Sequence, residues 1–469
     1  MSQVVLTHGY FIGEDEKEQK IMRPYAPLGI LSISAFLTEN NIENEVFDTT
    51  FSSRTALAQY LRKHQPQYLG IYINLMTKPF VIQLIREIKT DPALQHITII
   101  LGGPDTRYNA ESLLKAQADY IVIGEGEQTM LELIQALEAG NRLPTQVQGL
   151  AFMKAGQYHQ TAERTKVKSI DVLPYPDRSK IDLNQYLQVW KSHHGQSSIT
   201  LSTMRGCPYT CKWCSRAVYG LSYRRRSPEK VVDEIVHLQA HYEFDLIWFV
   251  DDVFTVSHKW LKKFNEALQA RQVKGRYECI TRADRMNEEV VQLLKASGCF
   301  RVWVGAESGS QKIIDLMDRR VEITKVQEMI QLANQYEIET GTFIMLGYPQ
   351  ETQEDIEATI QHLKKANPDH FTITLAYPIK GTELYDETND IQIHPSEWNT
   401  TTDRDIDFER TYSRKYYKYA LSRVINEVNF YKLYTKKPVS ITTAKLKARV
   451  MIAKVGMWWE RRKTTSLSQ

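Results

Sequence analysis

Ser202–Gly220 reads STMRGCPYTCKWCSRAVYG, and three of the chain's five cysteines, Cys207, Cys211 and Cys214, fall inside eight of its residues. The stretch comes after a β-rich run, ITLST, so it reads as the loop leaving a strand. A C-x3-C-x2-C spacing with Gly and Pro can curl three thiolates around one metal centre. A closed zinc site wants a fourth ligand, from a second C-x2-C or a close His pair. The remaining cysteines do not supply it: Cys279 lies inside a strand pattern, Cys299 comes after Gly298 at a helix end, and both read as small buried residues. His237 and His241 form an i, i+4 pair with no cysteine nearby and read as helix surface. Iron–sulfur clusters are held by thiolates, four in the usual case. Three would leave one iron open, and an open position marks a catalytic centre rather than a structural one.

The same strand opens a second feature. ITLST, LIWFV, YECIT, RVWVG, GTFIML and FTITL are six strand candidates, separated by helical stretches such as Pro228–His241, Asn287–Ala296 and Thr352–Lys365. Six successive βα units predict a barrel or partial barrel over 196–385. Barrel chemistry sits at the strand C-terminal ends. The strand ends here are polar: the cysteine loop, then Asp251 and Asp252, then Arg282, Asp284 and Arg285, then Glu307 and Ser308, then Gly347, then AYPIKGTELY. The ordinary reading of Asp251 and Asp252 is a helix N-cap before SHKWLKKF.

Upstream, VVLT, NEVFD, YLGIYI, ITIIL and YIVIG alternate with helical stretches including Leu28–Glu39, Val81–Lys89 and Thr129–Glu138. Five strands with helical crossovers predict a doubly wound α/β sheet over 1–142, whose ligands sit beyond the strand C-termini. Two of those ends are Gly-rich, LGGPDT at 101–106 and IGEGEQT at 123–129. Residues 143–195 read as a linker with a small hairpin turning at Ala155-Gly156. Residues 386–469 read as a basic helical region.

Composition sets limits. With 42% hydrophobic and 25% charged residues among 469, the chain can build two or three cores. No apolar run approaches the roughly 20 residues of a membrane span. The start, MSQVVLTHGYFIGEDEKEQK, has no basic n-region before an apolar core. Five cysteines make no disulfide framework, so the expected compartment is the cytoplasm. From Thr411 to Gln469 there are 14 Lys/Arg against 2 Asp/Glu, a local charge of +12 that leaves the body mildly acidic. Within LKARVMIAKVGMWWERRKTT, Leu446, Val450, Ala453 and Met457 share a helix face. The tail therefore reads as a helix packed on the barrel, or as a membrane-surface helix with Trp458 and Trp459 at headgroup level. No nucleic-acid-binding module is recognisable.

RGCPYTCKWC, with an aromatic before its last cysteine, resembles the signature of the radical S-adenosylmethionine (SAM) enzymes. FVDDVFT, ITRADRM, SGCFRVWVGAESGS, GTFIMLGYPQET and AYPIKGTELY come next, in the order and spacing of that family's cobalamin-associated branch. PYAPLGILSISAFLTENN, ITIILGGPDT and ADYIVIGEGEQTMLEL resemble the cobalamin-binding domain that precedes the barrel there. The branch includes methyltransferases and the anaerobic cyclase of chlorophyll synthesis, and the resemblance covers roughly the first four-fifths of the chain.

That resemblance implies an α/β architecture of a Rossmann-like cobalamin-binding sheet, a partial (β/α)6 barrel and a helical C-terminus. It implies that Cys207, Cys211 and Cys214 bind three irons of a 4Fe–4S cluster, with SAM on the fourth. Trp213 would sit near the adenine. Asp251 or Asp252 would contact the methionyl amino group and Arg282 the carboxylate. Glu307, helped by Ser308, would bind the ribose. Tyr72 and Thr77 would lie near the corrin, with Gly102, Gly103, Gly124, Glu125 and Gly126 at the nucleotide tail. The D-x-H-x-x-G motif of many cobalamin domains is absent; His8 precedes Gly9 without it, so cobalamin is expected without a histidine lower ligand. The implied activity is generation of a 5′-deoxyadenosyl radical, with cobalamin carrying a methyl group to an unactivated carbon or phosphorus of a small or hydrophobic, lipid-like substrate. The electron donor would be a flavodoxin or ferredoxin. The alternatives are a radical oxidoreductase or cyclase without net methyl transfer, and a non-catalytic cobalamin- or iron–sulfur-binding regulator.

Overall fold

The computed structural model describes residues 3–394, 397–435, 437–438 and 440–466. The first sheet is built from β1 (Val4–His8), β2 (Asn44–Phe47), β3 (Tyr68–Tyr72), β4 (Thr98–Gly102), β5 (Tyr120–Val122), β6 (Leu150–Lys154) and β7 (Gln157–Gln160), in spatial order β2-β1-β3-β4-β5-β6-β7. The first five are parallel, in the 2-1-3-4-5 order of doubly wound folds. Their near-continuous apolar runs are those of strands covered on both faces. Leu69, Ile71, Ile99 and Leu101 pack into one core and Val4, Leu6, Tyr68 and Ile100 into the other. Each such fully buried aliphatic side chain contributes roughly 1.5–3 kcal/mol.

The hairpin expected in the linker does form, with Ala155 and Gly156 both at positive φ. It is not part of a linker, however. β6 pairs antiparallel with β5 and extends the sheet, because Leu150, Ala151 and Phe152 are apolar enough to be buried there.

The second sheet comprises β8 (Ser198–Leu201), β11 (Leu246–Phe249), β12 (Tyr277–Thr281), β13 (Cys299–Glu307), β14 (Glu339–Leu346) and β15 (His370–Leu375). Its order, β15-β14-β13-β12-β11-β8, tracks the chain, as successive βα units of a partial barrel require. Between β8 and β11 lies a short antiparallel ribbon, β9 (Met204–Arg205) with β10 (Arg224–Arg225). Helices occur where the periodicity places them: Pro228–His241, Glu288–Ala296 capped by Asn287, and Gln353–Ala366 closed by a Thr352/Asp355 capping box. Cys299, just after Gly298 at the end of Glu288–Ala296, begins β13 and is buried as expected. Two helices, Arg414–Tyr434 and Ile441–Ser466, form the C-terminal region. Among the described residues no helix is long and apolar enough to cross a membrane.

The chain divides into two compact units. The first comprises Met1–Pro208, Ser215–Trp248 and Pro395–Asp405; the second comprises Tyr209–Cys214, Phe249–His394 and Ile406–Gln469. These boundaries differ from the sequence-based ones, since the division falls inside the cysteine loop.

Candidate functional site

A cavity of about 360 Å³ opens in the first unit, at the C-terminal ends of its parallel strands. Its walls are mostly apolar, from Ile30, Ile33, Ile100, Val122 and Met130, with the charged Glu125, Glu127, Arg205, Arg226 and Glu234 also in the lining, and four glycines, Gly102, Gly103, Gly124 and Gly126, floor it. The glycines are there for two reasons. Gly103 has φ +121 and a Cβ on it would stand 2.4 Å from the Ile73 carbonyl oxygen, so the turn itself demands glycine. A Cβ on Gly102 would meet nothing closer than 3.8 Å, so a larger side chain there would fill the cavity instead of clashing. An apolar slot floored in this way fits a flat aromatic group such as the base of a cobalamin's nucleotide tail.

Tyr72 lines the slot. Burial, with the neighbouring Tyr219 and against a hydrogen bond to Asn74, pushes its hydroxyl up to about 12, so it stays protonated. Thr77 is not in the lining; its Oγ1 accepts from the Asn74 N–H and pins the turn before Lys78–Thr90. His8 is not in the lining either. Its Nε2 bonds Asp48 at 2.9 Å, and its Nδ1 lies 3.1 Å from Thr49 Oγ1 and accepts from the Tyr10 N–H. Both ring nitrogens are thus committed inside the fold.

Beside the glycine floor sits an ion-pair network absent from the sequence-based expectations. Arg205 Nη1 donates to Glu125 at 3.0 Å and its Nη2 to Glu127, while Arg224 Nη1 donates to both Glu125 oxygens at 2.8 and 2.9 Å. Burial alone would raise the Glu125 carboxyl; Arg224 and Arg205 overcome it and hold it below the usual carboxylate range. Arg205 lies two residues before Cys207, so the turn that floors the slot also holds the strand that leads into the cysteine loop. The clue was available in the pairing of GEGE with MRGC and YRRR, but neither ribbon strand is long enough to announce itself.

In the second unit, Cys211 is buried and Cys214 exposed. The loop is pinned by Lys212 N–H to the Met317 carbonyl (3.1 Å), Leu384 N–H to the Lys212 carbonyl (3.0 Å), and Thr210 Oγ1 to Asp318 (2.5 Å). Trp213 packs, partly buried, against the core cluster that contains Ile313, Met317, Tyr348 and Leu384. Two guanidiniums face the Cys211 sulfur, Arg282 Nη1 and Arg319 Nη1, each at 3.7 Å. They place positive charge where a thiolate-held cluster carries negative charge, so these residues fit an iron–sulfur ligand. Cys207 lies in the first unit, and among the described residues no three His, Cys, Asp or Glu are grouped as a metal site.

Arg282 is otherwise occupied by Asp284 (2.8 Å), the Arg319 carbonyl (2.7 Å) and the Tyr209 ring, 3.9 Å from its Cζ. Arg319 is the residue the sequence hid. It bonds the Gly305 carbonyl at 3.0 Å and lies 3.9 Å from Glu307. Glu307 sits at φ +67, beside an irregularity in the β13–β14 register, a bulge that re-aims the side chain at the strand end. Gly305 makes the space: a Cβ there would lie 2.5 Å from Arg319 Nη2 and 2.8 Å from Glu307 Oε1. Burial raises the Glu307 carboxyl, against the pull of Arg319 and Arg282. Ser308 is buried and its Oγ accepts from the Ser310 N–H, so it shapes the turn. Asp251 is buried and Asp252 exposed. Neither is the N-cap of the next helix, a role taken by Ser257, whose hydroxyl sits in register with the first turn.

Residues 201–363 match the radical SAM superfamily and residues 20–134 the B12 binding domain. The chain is a radical SAM enzyme with a B12-binding domain. This radical SAM enzyme is 27% identical over 371 residues to the "Uncharacterized methyltransferase PH0819" of Pyrococcus horikoshii, covering 77% of this chain and 78% of that one. It is also 27% identical over 357 residues to the anaerobic magnesium-protoporphyrin IX monomethyl ester cyclase of Cereibacter sphaeroides, covering 73% of this chain and 56% of the cyclase. In fold it resembles the radical SAM methyltransferase TsrM of Kitasatospora setae, solved with cobalamin and a [4Fe-4S] cluster (TM-score 0.69, 19% identity, 83% and 78% coverage). It also resembles the cobalamin-dependent radical enzyme OxsB (TM-score 0.74, 15% identity, 96% and 75% coverage). The radical SAM enzyme is accordingly methyltransferase-like or cyclase-like, with SAM, a 4Fe–4S cluster and cobalamin as the cofactors of its domains.

Proposed function

We propose that the protein is a methyltransferase that moves a methyl group to an unactivated carbon, or to phosphorus, of a small or hydrophobic substrate. The observation that carries this reading is the glycine-floored slot, lined by no histidine among the described residues, within a chain that also holds Cys211 between two guanidiniums. When bound, the cluster with SAM supplies a carbon-centred radical and cobalamin a methyl carrier. The chain's own residues would do the rest. Cys207, Cys211 and Cys214 would hold the irons, Arg282 and Arg319 would balance the charge at Cys211, and Glu307 would accept hydrogen bonds from SAM hydroxyls. Gly102, Gly103, Gly124 and Gly126 would leave room for the cobalamin tail. A flavodoxin or ferredoxin would deliver the electron.

A second reading, radical oxidation or cyclisation without methyl transfer, draws on the cyclase relative. SAM carrying a trideuteromethyl group separates the two. Protein reconstituted anaerobically with iron, sulfide and hydroxocobalamin is incubated with small-molecule extracts, and products are tracked by mass. Label in a product supports methylation; a new product without label supports the cyclase-like reading. Release of 5′-deoxyadenosine that survives in Cys279→Ala and vanishes in Cys211→Ala would exclude a non-catalytic regulator.

A further inference from the structure

The C-terminal helix Ile441–Ser466 carries apolar residues on two faces, one buried and one exposed. Val450, Ala453 and Met457 are buried. They belong to the side turned toward Arg414–Tyr434, where Gly456 comes so close that a Cβ on it would lie 2.5 Å from the Tyr419 ring. At 3.6 residues per turn the opposite side is formed by Ile441, Met451, Ile452, Val455, Trp458 and Trp459. These residues are all exposed, from 50% for Trp458 to 77% for Ile441. Met451, Ile452, Val455, Trp458 and Trp459 make one continuous patch over about two turns of a helix about 39 Å long, with Ile441 on the same side near its start. Large apolar side chains grouped on an exposed face need an explanation, since isolated ones do not.

The charges at the stripe's edges say what covers it. Lys447 lies along one edge, beside Lys454, whose ammonium is 3.7 Å from Glu427, and Lys445 and Arg449 lie along the other. The helix's one acidic residue, Glu460, is buried on the inner side, 3.3 Å from Ser413 Oγ. The outer side is therefore apolar in the middle and cationic on both flanks. A second copy laid on it would set cation against cation along both edges. A surface that is apolar beneath and negatively charged above matches it, with the paired tryptophans at the level where indoles prefer to sit.

We infer that the outer face of Ile441–Ser466 docks this enzyme on an anionic phospholipid surface. The helix lies in the plane of the interface, with Met451, Ile452, Val455, Trp458 and Trp459 in the acyl boundary and the lysines among the headgroups. The inference stands on the helix alone and is independent of which reaction the barrel performs.

The test is co-sedimentation of the full chain with vesicles of phosphatidylcholine, with and without phosphatidylglycerol. Expected is pelleting with phosphatidylglycerol vesicles only, reversed by high salt. The triple variant Lys445→Glu/Lys447→Glu/Arg449→Glu should lose on the order of a hundredfold in partitioning. Trp458→Ser/Trp459→Ser should also release it. All five positions are exposed, so circular dichroism and melting should match the unmodified protein. Equal recovery with and without vesicles overturns the inference, as does equal binding of both variants. Equal binding to neutral vesicles overturns the anionic surface. A concentration-dependent dimer that Trp458→Ser/Trp459→Ser dissolves would assign the stripe to a second copy.

Discussion

Arg205 and Glu125 are joined at 3.0 Å, so the strand entering the cysteine loop is fastened to the turn that floors the glycine-lined slot. The pair is almost withdrawn from water, with side-chain exposures of 14% and 6%. Removing one partner of such a pair leaves an uncompensated charge. Arg205→Ala should therefore cost about 3–5 kcal/mol of stability, and Arg205→Lys less, in urea denaturation of the metal-free protein.

The same carboxylate makes an acid-side prediction. Glu125 titrates lower in the folded chain than in the unfolded one. Its contribution is present above the unfolded value of a glutamate and is lost as pH falls through the folded value. Melting temperatures taken from neutral pH downward should fall less steeply in Glu125→Gln than in the unmodified protein.

Glu351 predicts the reverse on the alkaline side. It is fully buried and its Oε2 accepts from the Gly347 N–H at 2.6 Å. Burial pushes its carboxyl up to about 8. The folded chain holds a proton there that the unfolded chain has released, so this stabilisation is complete below the unfolded value and is lost as pH rises through about 8. Glu351→Gln should flatten the decline in stability over that window.

Gly305→Ala tests the arrangement at Cys211. Its Cβ would stand 2.5 Å from Arg319 Nη2, so the guanidinium whose Nη1 faces the sulfur must shift. The expected result is a changed electron paramagnetic resonance signal of the reduced cluster on adding SAM, with a stability loss of about 1–3 kcal/mol. Gly275→Ala, where a Cβ meets nothing within 4 Å, is the control and should leave both unchanged.

Gly102→Leu tests the slot. The added side chain has room, so the protein should fold, but it occupies the cavity. Corrin absorbance retained after anaerobic reconstitution and desalting should fall by about tenfold or more. Iron content should not change.

The strand and helix pattern of both sheets was legible because buried parallel strands are apolar along their whole length and their helices have clear caps, as at Asn287 and Thr352. The cysteines and the glycine turns stood out by their spacing, and the resemblance of the motifs around them gave that spacing a meaning. Arg319 was not, because it reaches Cys211 from 108 residues away in sequence. Arg205 and Arg224 were hidden for a related reason: a two-residue ribbon carries no periodicity. The roles expected for Thr77 and Ser308 came from their place after a strand, which does not say whether a hydroxyl turns outward or bonds its own turn. The hairpin at Ala155-Gly156 was recognised from its turn, but its membership of the sheet depends on a partner strand about thirty residues earlier.

The contact between Gly456 and the Tyr419 ring has a consequence for how this protein can be dissected. The last helix is half interior: cutting it away would uncover the Tyr419 ring and leave Ser413 without Glu460, as well as removing the outer stripe. A truncated protein that aggregates would report on broken packing and say nothing about lipid. The inner positions tolerate little change, while the outer ones are free to vary with whatever surface the cell presents. Relatives that live without such a surface should keep Gly456 and small or apolar residues at its inner neighbours, and should lose the tryptophans.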